Sequence, residues 1–179
     1  MASLADLLEP VAANSATGGS LGTEVWFVAE KDLTTQPVRD SASGNVIANL
    51  VFSGTNTATK IYATIETLEV KSDPLDGENA DVVAYENSAS FFHPSIDAAR
   101  LAFIRGIAGK KGYFFVKDFA TDTIMMIGEA GHPAIGKVAS KFGKVVTEGK
   151  GLTFTFSAKQ PDQYAIYEGT GIGDTVVAP

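Results

Sequence analysis

Residues 152–158 read Leu-Thr-Phe-Thr-Phe-Ser-Ala, with apolar and polar positions in strict alternation. Successive side chains on a strand point to opposite faces. Leu152, Phe154, Phe156 and Ala158 therefore share a dry face, and Thr153, Thr155 and Ser157 a wet one. The same period recurs at Ile61, Ala63 and Ile65, and at Val83 and Tyr85. Antiparallel sheets covered on one side carry this signature. The pattern predicts a mainly β protein, an antiparallel β-sandwich or half-barrel.

The remaining segments fill in around these strands. Val25-Trp-Phe-Val28, the apolar run 46–52, residues 60–70 and the return segment 82–87 are expected strands. Tyr113-Phe-Phe-Val116 and Ile124-Met-Met-Ile127 are expected to form a hairpin across Lys117–Thr123, and Tyr164–Tyr167 a last short strand. Asp73-Pro-Leu-Asp-Gly-Glu-Asn79 has turn chemistry, with Pro74 fixing φ and Gly77 allowing a positive one. One flanking α-helix is predicted near 95–107. Ile96, Ala99, Phe103 and Ile107 align at helical spacing, Ser95 can cap, Asp97 suits the positive helix start, and Gly106 or Gly109 can end it.

Residues 1–23 are small and polar with paired glycines and are expected to be a flexible arm. Residues 24–168 form one domain, and 169–179 a flexible tail. Residues 31–44 are polar and contain Pro37. They are expected to be loose in a free subunit and to order on assembly.

Composition narrows the possibilities. A chain of 179 residues can bury roughly 70% of its unfolded surface as one domain. Without cysteine there are no disulfides and no thiolate metal sites. The amino terminus lacks the basic region of a secretory signal, and no apolar run reaches the ~20 residues that span a bilayer. The net charge of -7 is unevenly spread. Residues 1–89 hold 4 basic and 13 acidic side chains, and residues 90–179 hold 10 and 8. Such a split suits a solvated surface, or identical copies meeting acid to base around a ring. The overall sign argues against tight nucleic-acid binding, which needs clustered cations.

No catalytic pattern stands out. Gly131-His-Pro-Ala-Ile-Gly-Lys137-Val138 approaches a phosphate-binding loop. Val138 stands where a metal-binding hydroxyl is needed, and Pro133 lacks one of the N–H groups that cradle phosphate. Gly169-Thr-Gly-Ile-Gly173 opens no helix. His93 and His132, each followed by proline, are too few to make a metal site unaided and read as structural or surface residues. No cofactor and no enzymatic activity are expected, and the paired aromatics fit core filling better than base stacking.

From about Ile61 to Gly169 the order of segments resembles the tail tube proteins of long-tailed bacteriophages. The resemblance rests on an acidic hairpin, Phe91-Phe-His-Pro94 leading into a helix, Tyr113-Phe-Phe-Val-Lys-Asp118 and Ile124-Met-Met-Ile-Gly128. It continues through Pro133-Ala134, Phe142-Gly143, Gly151-Leu-Thr-Phe-Thr-Phe, Gln160-Pro161 and Tyr167-Glu-Gly169. It implies a virion structural protein, located in the tail and in the host cytoplasm during assembly. Six copies would close into rings that stack into a tube and contact other tail proteins. Double-stranded DNA would pass through without specific binding, and no membrane would be involved. Under this resemblance Glu66 and Glu86, on adjacent acidic strands, are candidate lumen-facing residues that would repel DNA. Another virion ring component, a head–tail joining or tail terminator protein, and a β-sandwich that binds a carbohydrate or other small ligand remain as alternatives.

Overall fold

The computed structural model describes residues 21–46, 48–64, 66–75, 84–118, 123–141, 150–170 and 172. In chain order the strands are β1 (Leu21–Ala29), β2 (Leu33–Thr35), β3 (Val51–Phe52), β4 (Thr59–Tyr62), β5 (Glu69–Leu75) and β6 (Ala84–Pro94). After helix α1 (Ala98–Ile107) come β7 (Lys111–Asp118), β8 (Ile124–Ile127), β9 (Ala134–Lys141), β10 (Gly151–Gln160) and β11 (Ala165–Tyr167). The protein is mainly β, antiparallel, with one helix.

Nine strands make one sheet in the order β11-β8-β7-β9-β10-β6-β5, with β1 joining β7 to β4. Along one edge β7 is paired twice, by β8 at Phe114–Lys117 and by β9 at Lys111 and Gly112. The sheet turns on itself there. The Phe114 and Phe156 rings stack with centroids 4.2 Å apart, and Phe91 and Phe114 stack at 6.0 Å. Strands β7 and β10 have β9 between them, so a flat sheet at 4.7–4.9 Å per strand would hold those backbones about 9–10 Å apart. Side chains from the two halves thus meet in one core, which includes Phe27, Phe91, Phe114, Phe154 and Phe156.

The other face of β1 and β7 is buried as well. Trp26, Val28, Tyr113 and Phe115 form a second cluster with Leu33, Val46, Leu50 and Tyr167. The expected strand at 46–52 is therefore only the pair Val51–Phe52. Val46 makes a single parallel bridge to Tyr167, and Leu50 is held by its N–H donating to the Tyr167 hydroxyl at 3.2 Å. Residues 31–44 already have partners within the single chain. β2 pairs β3, and Asp40 accepts from the Ser43 N–H at 2.9 Å. Arg39 forms an ion pair with Glu129 and donates to the Gln163 carbonyl.

Two further expectations are corrected. Residues 60–70 are not one strand: β4 ends at Tyr62, and a turn intervenes before β5. In that turn the Thr67 N–H donates to the Thr64 carbonyl, and Glu66 has φ 62. Helix α1 is capped by Asp97, whose carboxylate accepts the Arg100 N–H at 2.8 Å; Ser95, at φ 74, serves as the bend before it. Phe103 and Ile107 bury the helix's inner face, whereas Ala99 is exposed. Of the turn expected at 73–79, Asp73, Pro74 and Leu75 instead continue β5; residues 76–83, 142–149 and most of the arm and tail lie outside the described residues.

Candidate interaction surface

Strands β9, β10, β6 and β5 form a four-stranded half-sheet whose inner face covers the core. On β10 the even-numbered residues 152–160 are buried, and on β6 the odd-numbered residues 87–93. The opposite face follows from register. Ser88 lies opposite Ser157, Ser90 opposite Thr155, and Phe92 opposite Thr153. Short hydroxyls therefore occupy the middle of this outer face, with Phe92 at one end.

Charge flanks the hydroxyls on both sides. Glu69 pairs with Ser90, Lys71 with Ser88 and Asp73 with Glu86 on the β5 side. Lys137 pairs with Thr155 and Lys141 with Gly151 on the β9 side. Lys159 lies opposite Glu86. Within β5, Lys71 bridges Glu69 at 3.1 Å, and both side chains are more than half exposed, so the pair adds little stability. Asp73 directly across from Glu86 is a like-charge pair, which costs an isolated sheet stability.

The inner face fixes this surface through a buried polar network. The Ser72 hydroxyl donates to Asn87 Oδ1 at 2.6 Å, and Asn87 Nδ2 donates to Gln160 Oε1 and the Asp162 carbonyl, both at 2.9 Å. These bonds tie β5, β6 and β10 together at one end. At the other end His93 is fully buried beside Tyr62 and Phe154. Its Nδ1 lies 3.0 Å from the Tyr62 carbonyl, and Nε2 accepts from Arg100 Nε at 3.1 Å. A neutral imidazole with its proton on Nδ1 satisfies both contacts. Burial is the main cause that lowers its pKa, and the Arg100 cation adds to it. Arg100 is in turn paired with the helix cap Asp97.

Glu86 lies on β6 and points to the hydroxyl face. Glu66 is exposed in the 64–67 turn, not on a strand beside it. The Thr64 N–H donates to the Phe92 carbonyl, which sets that turn six residues along β6 from Glu86, about 20 Å at ~3.3 Å per residue. The two carboxylates are thus not brought together. Lys137 of the near phosphate-loop motif lies within extended β9, not at a helix start. Sequence reasoning found the wet side of β10 but missed its neighbours: pairing of Thr155 with Lys137 depends on register between distant segments. Compared with family models, curated proteins and solved structures, the chain matches none.

Proposed function

We propose that the protein is a structural subunit that self-assembles into rings stacked as a tube, in the manner of a bacteriophage tail tube, with the β9-β10-β6-β5 half-sheet lining the passage. One observation carries this reading: a sheet face of short hydroxyls, backed by an aromatic core, has Glu69, Lys71 and Asp73 along one flank and Lys137 and Lys141 along the other. Hydroxyls stay hydrated, and Lys71, Lys137, Lys141 and Lys159 on this face are interleaved with Glu69, Asp73 and Glu86, so a passing phosphate backbone meets mixed charge and not a purely cationic cluster. The flanking charges lie where neighbouring copies would meet. In this arrangement Glu86 faces the passage, and Glu66 sits toward one end of the wall.

The half-sheet's curl and shared core favour the sandwich or half-barrel description of each subunit. The test is sedimentation of the purified protein at high concentration and low salt, followed by negative-stain electron microscopy. Rings or tubes with a central channel are the expected result, and assembled tubes should not retain labelled double-stranded DNA after washing. A protein that remains monomeric throughout, or tubes that retain the DNA, would overturn the reading.

A further inference from the structure

Two edges of the half-sheet have no strand partner among the described residues: the outer edge of β5, and the edge of β9 beyond Ile135. We infer that the β5 edge of one copy pairs antiparallel with the β9 edge of the next, with Asp73 opposite Lys137 and Glu69 opposite Lys141. This inference rests on the ring reading and specifies its joint.

Strand direction permits it. The four strands alternate in direction, and rotation about a ring axis preserves direction, so β5 of one copy runs against β9 of its neighbour all the way round.

Backbone chemistry fits the same register. The Phe92 N–H donates to Thr67 Oγ1 at 3.1 Å, and its carbonyl accepts from the Thr64 N–H at 2.8 Å, so its backbone groups point toward the β5 side. Two residues back, Ser90 does the same and engages Glu69. Alternation then leaves Val70, Ser72 and Pro74 with backbone groups on the open edge. On β9 the Gly136 carbonyl accepts from the Gly109 N–H at 3.0 Å, away from β10. Val138 and Ser140 therefore present the open edge there. The proposed register pairs Val70 with Ser140 and Ser72 with Val138. It ends with Pro74 facing Gly136, where a missing N–H meets a carbonyl already occupied.

Side chains agree. Asp73 and Glu69 each meet a lysine, and Lys71 lies across from Ala139. Asp73 gains the counter-charge that Glu86 denies it within the single chain.

Barrel geometry selects this offset independently. Following one hydrogen-bonded row across a copy leads from Lys137 through Thr155 and Ser90 to Glu69. The joint then continues from Glu69 to Lys141 of the next copy, four residues further along β9. Four residues over four strands is one per strand, the stagger of barrels whose strands tilt about 36°. The direction is also right. With β6 running upward and the hydroxyl face toward the viewer, the Phe92 contacts place β5 on the right. The right-handed coil imposed by sheet twist makes rows seen from inside a barrel climb to the right, toward the end of β9. With the hydroxyl face outward, the same stagger would carry Glu69 toward Pro133 and past the lysines.

The cysteine-free chain allows a direct test. Opposed residues in a non-hydrogen-bonded antiparallel pair have Cα atoms about 4.5 Å apart, within disulfide range. A chain carrying Asp73→Cys and Lys137→Cys, oxidised under assembly conditions, should give a ladder of covalent oligomers on non-reducing electrophoresis. A chain with Asp73→Cys and Ile135→Cys, shifted by two residues, should stay monomeric on the gel. Rings visible by microscopy without a ladder, or equal ladders from both chains, would overturn the joint and leave the ring reading standing. Failure of the unmodified protein to self-associate would overturn both.

Discussion

Strands β7 and β10 are both aromatic, yet they do different work. β10 buries Phe154 and Phe156 on one side and shows Thr153 and Thr155 on the other, whereas Tyr113, Phe114, Phe115 and Val116 of β7 are all buried. The first aromatic face closes the core between the two halves of the sheet. The second needs the 33–50 segment and the chain end around Tyr167 to cover it. A strand with one exposed side can hold an interaction surface, while a strand covered twice can only be scaffold. The surface proposed to face a passage is accordingly on β10 and β6.

The strongest test of this contrast is truncation of both strands. Phe156→Ala removes the ring stacked on Phe114, and Phe115→Ala removes the ring set edge-on to Tyr167 at 5.2 Å. Each should lower unfolding free energy by about 3–5 kcal/mol in denaturant titration. A small loss at Phe115 would show that the second cluster is not a true core. At the other extreme of depth and polarity, His93 makes β6 pH-sensitive. Its folded pKa lies below the ordinary 6.5, so the unfolded chain binds the proton more readily. Stability should be fully present above about pH 6.5 and decline as the pH falls toward the folded value. Denaturation midpoints at stepped pH would check this, and His93→Gln should flatten the profile. The smallest effect is expected on the wet side of β10: Thr155→Val should change stability by no more than about 0.5 kcal/mol. A large loss there would mean that the hydroxyls are structural and not a surface.

Legibility in the sequence followed the same division. The inward and outward residues of β10 were readable because one face is wet and the alternation is visible in 152–158. The 124–127 hairpin partner and the helix were readable from local pattern, although the cap moved to Asp97 because Ser95 is used for a bend. Val46 and Leu50 misled because residues that plug a second core from a loop are as apolar as a strand. The break between β4 and β5 escaped notice since residues 63–68 contain neither glycine nor proline, and Glu66 itself takes the left-handed conformation. Glu86 was correctly set on a strand, but its real neighbours, Asp73 and Lys159, come from register that no single segment encodes. The opposite charges of the chain's two halves were visible in composition. The placement of Glu69 and Asp73 on one edge of a half-sheet and of Lys137 and Lys141 on the other was not.

Those edges also determine which encounters between molecules are unproductive. Two β9 edges meeting about a two-fold axis through Ala139 would set Lys137 against Lys141 twice, and two β5 edges centred on Lys71 would set Glu69 against Asp73. Both symmetric pairings are penalised by repulsion, and such a dimer would expose two like edges that cannot close a ring on each other. Of these pairings only the proposed head-to-tail contact would relieve the charges, and each such contact would expose a fresh edge identical to the one just consumed. Under the proposed assembly the chain would be a monomer with two unlike ends, polymerising until geometry lets the last end find the first.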